Sequence, residues 1–483
     1  MLYFSIPQLL IFRSDKQINL FLAGVGSGKT YLAGALSQKY IAEFPQCKGF
    51  IAANTYDQLN TATFFRIREF WKQQGIVEYE EKTGLGSYVV NKQPPARWDI
   101  TEKSFISYSN IVTFKNGGTI FLGSLDNAKA HEGKEFAWAI LDETKDTRED
   151  DVKDIILARL RQRGLIVNGR ELNPLYILTS PAKTDWINQW FELDKDIALI
   201  QQDIYDNDGY FAKTVGNKFC TISSTYHNQA NLPADYIDNK RNDWTAEKFK
   251  TLIYANPFSQ TGAEYYSSFD RIKHVGKCEY NPEIPLHISF DFNYVPYNSM
   301  SVWQIVKEGE RYKIYGIDEF ALRNPNNSDE EVCRAFLARY QHRHKSGVYV
   351  YGDATGRAGT TLNIEQKHHI GILEKILKPV LNSSSIKIPA ANPVNEARRD
   401  FANRLFEGKL PIDITIDERM VYMIGDMCYT KQDSITGSKD KHRVKDTDTG
   451  QVYEKYGHMG DNFEYFICEA FGKYFKKPRV MMY

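Results

Sequence analysis

The segment FLAGVGSGKTYLAGAL, residues 21–36, places Gly24, Gly26 and Gly28 ahead of Lys29 and Thr30, between an apolar strand-like run and a helical pattern. No other stretch constrains the fold as tightly. A backbone that curls around a polyphosphate and aims its N–H groups inward needs glycines, while a lysine supplies a point charge and a hydroxyl offers an oxygen to Mg2+. Gly24, Gly26, Ser27, Gly28, Lys29 and Thr30 therefore read as a cradle for ATP with Mg2+. Ala23 stands where the usual pattern has its first glycine, a departure that a small residue tolerates. The strand, loop and helix context makes the first part of the chain an α/β domain with a mainly parallel sheet.

A chain of 483 residues exceeds one ordinary core, so two or three domains are expected. Lys plus Arg and Asp plus Glu both total 61, so any nucleic-acid surface must be local rather than global. Cys47, Cys220, Cys278, Cys333, Cys428 and Cys468 form no C-x-x-C pair, which argues against zinc and a disulfide framework and for a reducing compartment. The N-terminal MLYFSIPQLLIF lacks a basic start and is broken by Pro7 and Gln8, so it reads as part of the fold rather than a signal peptide. No apolar run reaches membrane-spanning length, and no membrane contact is expected.

Beyond the glycine-rich loop, KGFIAANTYDQL reads as a strand, and NIVTFKNGGTIFLGSL as a hairpin about Asn116-Gly117-Gly118. FAWAILDET, residues 136–144, is an apolar run ending in Asp142 and Glu143. Two carboxylates at a buried strand end are costly unless a cation or a reacting group sits beside them. In an ATPase, Asp142 would hold the Mg2+ shell and Glu143 would polarise the attacking water. PLYILTSPAKTDW, residues 174–186, is a further strand, ending in Thr179 and Ser180, whose hydroxyls are placed to sense the terminal phosphate.

After Pro282 and Pro285 the pattern changes. HISFDFN carries Asp291; SMSVWQIVKE and RYKIYGIDEF are strands joined at Glu308-Gly309-Glu310; SDEEVCRAFLARYQHRH is a helix; VYVYGDATG is a strand ending in Asp353. The order β-β-β-α-β, with acids on the first and fourth strands, is that of an RNase H-like α/β domain. EKYGHMGDNFEYFICEAFGKYF supplies a third acid, Asp461, at a helix start one turn after His458. Three carboxylates in one pocket need cations, and oxygen ligands select Mg2+ or Mn2+. Two such ions would activate water and stabilise the leaving oxygen in phosphodiester cleavage. Asp318 and Glu319 are a weaker fourth candidate. Residues 431–445, KQDSITGSKDKHRVK, form a Lys-rich hairpin-like insertion with Gly437 as its turn, read either as a phosphate-touching border of the nuclease groove or as a solvated loop.

An ATPase followed by an RNase H-like nuclease in one chain resembles the large terminase subunit of tailed bacteriophages over nearly its whole length. The resemblance includes Gln8 at the place of an adenine-contacting glutamine, the glycine-rich loop, Asp142 and Glu143, Thr179-Ser180 at the coupling motif, and the nuclease residues Asp291, Asp353, Asp461 and His458. STYHNQANLPADYID, residues 224–238, and AEYYSSFD resemble the family's connector. The implied organisation is an ATPase domain over 1–220, a linker or lid over 221–283 and a nuclease over 284–483. The implied activity is ATP-driven translocation of double-stranded viral DNA into a procapsid, with two-metal endonuclease cleavage of concatemers. The implied partners are the portal protein, a small terminase subunit and further copies of the chain in a docked ring, commonly a pentamer, with a monomer open in solution. The implied location is the bacterial host cytoplasm and, transiently, the procapsid portal, not the mature virion. A helicase-nuclease of DNA repair or defence is the alternative.

One departure from the family stands out: Val25 occupies a loop position where many members carry a basic residue. Lys129 and Lys134 are candidate substitutes within the chain, and Arg159, Arg161 and Arg163 are candidates to act on a neighbour's ATP.

Overall fold

The computed structural model describes residues 3–475 apart from 99, 101–104, 145–146, 182–184, 206–208, 260–262, 358–368, 434–435, 441–442 and 446–451. Backbone packing divides the chain into two compact units, Met1–Ser259 and Gln260–Tyr483. The segment 221–283 expected to stand apart is thus shared between them. Its first residues complete a strand next to one edge of the first sheet, and Tyr265, Tyr266 and Phe269 are buried in the second unit's core.

The first unit is built on strands β1 (Ile18–Ala23), β2 (Lys48–Ala53), β3 (Tyr88–Val90), β4 (Ile111–Phe114), β5 (Thr119–Ser124), β6 (Trp138–Asp142), the small hairpin β7 (Ile166–Val167) and β8 (Arg170–Glu171), then β9 (Leu175–Thr179), β10 (Tyr210–Val215) and β11 (Lys218–Ser223). Nine of them form one sheet in the order β10-β11-β1-β9-β6-β2-β5-β4-β3. From β11 to β5 all neighbours are parallel, and antiparallel partners close both edges. The central strands are apolar on both faces because each face carries its own buried cluster. The expected hairpin about Gly117 is β4–β5.

This order brings the motif ends together. Leu22 is paired with Thr179 and Leu178 with Asp142, so parallel β1, β9 and β6 deliver the glycine-rich loop, Ser180 and the Asp142-Glu143 pair to one sheet edge. That edge, outside the carboxyl ends of parallel strands, is where α/β sheets bind ligands.

The second unit contains β12 (Val275–Gly276), β13 (Leu286–Asp291), β14 (Asn298–Glu308), β15 (Arg311–Leu322), β16 (Val348–Gly352), β17 (Leu381–Ile386), β18 (Ile412–Asp417) and the hairpin β19 (Lys431–Gln432) and β20 (Lys439–Asp440). Seven strands form a sheet in the order β12-β18-β15-β14-β13-β16-β17. The run β13-β14-β15 is antiparallel, and β16 adds parallel to β13 after the helix Asp329–Tyr340, as the sequence pattern indicates for an RNase H-like fold. Phe290 pairs with Gly352, which sets Asp291 and Asp353 side by side at neighbouring strand ends. Helix His458–Ala470 packs across β13, β14 and β16, anchored by the Ser289 hydroxyl donating to the Asn462 carbonyl at 2.7 Å. All six cysteines are free thiols, and no described helix is long and apolar enough to cross a membrane.

Candidate functional sites

In the first unit, Gly26 and Gly28 adopt φ of +80° and +82°, the left-handed turns that let the loop wrap an anion. Gly24 is fixed differently: a Cβ there would lie 2.6 Å from the Ile253 carbonyl and 2.9 Å from that of Leu252. Segment 225–253 clamps the loop from outside. The Val25 N–H donates to Leu252 O at 2.8 Å, the Thr225 hydroxyl to Val25 O at 2.8 Å, and the Asn228 amide to Gly26 O at 2.6 Å. Part of the expected connector therefore braces the nucleotide loop, a role that spacing alone does not reveal. Gln8 is buried, with its amide N–H donating to the Ser27 and Gly28 carbonyls and its carbonyl accepting from the Ser5 N–H at 2.9 Å. It braces the loop from the other side.

Lys29 is folded back into the cradle, donating to the carbonyls of Ala23 and Gly24 at 3.2 Å and to the Ser180 hydroxyl at 2.9 Å. Its ammonium pairs with Glu143 at 3.2 Å, and the Ser180 hydroxyl donates to the same carboxylate oxygen at 3.2 Å. The predicted lysine, strand-end serine and acid thus form one cluster. Glu143 has φ of +52°, and its carbonyl accepts from Asn54 at 2.7 Å. Asp142 is buried and accepts from the Thr63 hydroxyl at 2.6 Å. Burial pushes its carboxyl up to about 6, against the Thr63 hydrogen bond that favours the charge. Asp142 Oδ1 and the Ser27 hydroxyl are buried without a partner among the described residues, a donor set that fits Mg2+ and phosphate.

The arginine candidates lie elsewhere. Phe136, ahead of β6, exchanges backbone hydrogen bonds with Arg159 and Arg161, so this stretch flanks the start of β6, opposite the end that carries Asp142. Arg161 and Arg163 are exposed beside Glu135 and Glu171. Lys134 meets the His131 ring at 3.2 Å and lies over Phe121. Lys129 is exposed.

In the second unit, Asp291 is buried at the end of β13 and receives His458 Nδ1 at 3.2 Å and the Asn293 amide at 3.0 Å. Burial raises its pKa, the His458 hydrogen bond opposes that, and the Asp461 charge adds to it. Burial works against a charged His458, but the bond to Asp291 carries its pKa above the ordinary value. Asp353 accepts from Asn392 at 2.5 Å and from the Thr355 N–H at 2.8 Å. Burial and the Asp461 charge raise the Tyr465 hydroxyl's pKa, against the Arg398 charge that lowers it. Asp426, missed in the sequence, accepts from the Gly460 N–H at 3.0 Å and so braces the start of the helix bearing Asp461.

The all-oxygen donors suit Mg2+ or Mn2+, but no described group of three or more His, Cys, Asp or Glu side chains surrounds a common ion position. Asp461 is engaged by the Lys439 ammonium at 2.8 Å. The Lys-rich insertion does form a hairpin, with Gly437 at φ +68°, though residues 434–435 and 441–442 lie outside the described part. Within it, Lys439 is buried and Lys431 pairs with Glu264 at 2.9 Å. Asp318 and Glu319 serve the scaffold: Asp318 pairs with Arg339, and Glu319 caps the helix Val421–Tyr429 through the Tyr422 and Met423 N–H groups at 2.8 Å.

A P-loop sheet with its acids beside the phosphate cradle, followed by an RNase H-like sheet, defines the class: a P-loop NTPase fused to a nuclease-type fold. The family model for the terminase large subunit, T4likevirus-type, N-terminal, matches residues 20–271, just over half of the chain, and the chain belongs to that family. It is thus a component of phage DNA packaging with an ATPase unit. Among solved structures, the large terminase of a thermophilic bacteriophage is 16% identical, covering 97% of this chain and 99% of its own, with a TM-score of 0.38. The large terminase of bacteriophage HK97 is 11% identical, covering 96% and 93%, with a TM-score of 0.43. The ATPase domain of the Thermus phage P74-26 large terminase is 17% identical, covering 52% and 92%, with a TM-score of 0.35. No curated protein sequence matches the chain.

Proposed function

We propose that the first unit hydrolyses ATP to translocate double-stranded viral DNA into a procapsid, and that the second unit cuts concatemeric DNA by two-metal chemistry. The observation that carries the motor reading is the Lys29-Ser180-Glu143 cluster, in which one lysine holds both the expected catalytic acid and the expected coupling hydroxyl. ATP with Mg2+, when bound, supplies the phosphoanhydride, with Thr30 and Asp142 as the protein's metal ligands. The left-handed turns at Gly26 and Gly28 would let the loop wrap the phosphates, and Lys29 would exchange backbone carbonyls for phosphate oxygens. That exchange would release Glu143 to orient water and take its proton, and would leave Ser180 to pass the change to β9. Gln8 and Asn228 hold the loop in shape throughout.

In the second unit, Asp291, Asp353 and Asp461 would hold two Mg2+ or Mn2+ ions, which activate water and stabilise the leaving oxygen. His458 orients Asp291 through its hydrogen bond. The partners of this reading are the portal, a small terminase subunit and a ring of copies of the chain; its setting is the host cytoplasm. The test mixes the protein with procapsids, DNA and ATP and measures DNA protected from added DNase. Protection that requires ATP and Lys29 supports the reading; ATP turnover with no protected DNA rejects it.

A further inference from the structure

We propose that Lys439 is a resident cation of the nuclease site, occupying Asp461 in place of a divalent ion until the hairpin that carries it withdraws. The inference rests on the nuclease reading above. The Lys439 ammonium lies 2.8 Å from Asp461 and 2.9 Å from Glu464, and its side chain is 4% exposed. Arg398 adds a second cation, 3.7 Å from Asp461 and 3.4 Å from Glu464, and the Tyr266 hydroxyl donates to Glu464 at 2.7 Å. Two buried carboxylates are thus balanced by two buried cations. Asp291 and Asp353 are held differently, by His458 and by the amides of Asn293 and Asn392.

A metal ligated by Asp461 would face the ammonium and the guanidinium across a pocket of low dielectric, where like charges repel strongly. Metal and Lys439 therefore compete for one carboxylate. Asp291 and Asp353, on neighbouring strands, remain available for a first ion. Of the two cations, Arg398 sits on the regular helix Asn395–Phe406, whereas Lys439 belongs to a hairpin ladder of only two residue pairs. The resting site then holds one ion, too few for two-metal cleavage, which spares DNA while the motor moves it.

The test counts Mn2+ bound to the full-length chain without nucleotide, by electron paramagnetic resonance of the free ion, in an Asp142→Asn background that removes the ATP-site ligand. One tight equivalent is expected with Lys439 and with Lys439→Arg. Two are expected with Lys439→Met, the second binding about tenfold or more tighter than with Lys439 in place. Because Lys439→Met leaves a buried carboxylate unbalanced, Lys439→Met with Glu464→Gln restores the charge count and is expected to give two as well. Two equivalents in the presence of Lys439, or one in both methionine variants, overturn the proposal. Asp353→Asn separates the two readings. A single equivalent that depends on Asp353 but not on Lys439 sinks only the role of Lys439, whereas no tight Mn2+ in any variant removes the nuclease reading and this inference with it.

Discussion

In both units a lysine holds the acid expected to do chemistry, yet the two arrangements differ in kind. Lys29 meets Glu143 at 3.2 Å in a partly open cradle and also touches carbonyls and a hydroxyl that a phosphate can replace. Lys439 meets Asp461 at 2.8 Å in a closed pocket where a second carboxylate shares it. The first pair is a resting arrangement that substrate itself dissolves. The second is balanced without any ligand, so substrate or metal alone has less to gain by breaking it. A charge pair beside a reacting group therefore reports readiness or restraint according to what can replace it.

The contrast breaks most sharply if the two chemistries prove inseparable. Lys29→Ala and Glu143→Ala are each expected to lower ATP turnover by about a thousandfold or more, read as phosphate release, while Mn2+-dependent DNA cutting by the same full-length proteins persists. Asp353→Asn should do the reverse, lowering cutting by about a hundredfold or more on agarose gels with ATP turnover within about twofold of the parent. Gly24→Ala adds a Cβ against two backbone carbonyls and is expected to lower stability by about 1–3 kcal/mol in urea unfolding, through the first unit alone.

A smaller effect concerns Asp142. A carboxyl raised to about 6 is protonated below that pH and cannot ligate Mg2+, so Mg2+-dependent nucleotide affinity should weaken as pH falls through that value. Thr63→Val removes a hydrogen bond that favours the charge and should move the midpoint to higher pH, as followed by fluorescent-nucleotide titration. A midpoint unmoved by Thr63→Val would mean that Asp142 does not govern the profile. Asn228→Ala, which removes one hydrogen bond from the loop, is expected to weaken nucleotide binding by about 1 kcal/mol, with no change in cutting.

What was legible in the sequence follows the same division. The phosphate loop, Asp142-Glu143 and Thr179-Ser180 could be read because each sits at the end of an apolar run, and parallel strands bring such ends to one edge. Asp291 and Asp353 were readable for the same reason. Thr63, Asn228 and Asp426 were not, because each acts through one contact distant in sequence and carries no periodicity of its own. Lys439 misled for a further reason: in a run of polar residues an inward-facing lysine looks like its exposed neighbours. The division of the 221–283 segment between two cores is not legible either, because it depends on which distant residues each part packs against.

Glu143 offers one more consequence. Its left-handed backbone costs a residue with a Cβ about 1 kcal/mol relative to glycine, a backbone term that works against the ion pair its carboxylate makes with Lys29. A library randomised at this position in a Lys29→Met background, where the ion pair is gone, and sorted for folding should drift towards glycine or asparagine, while one sorted for phage yield with Lys29 in place should return glutamate. The separation between those two pools would measure how strongly selection has kept a carboxylate where the backbone alone favours glycine.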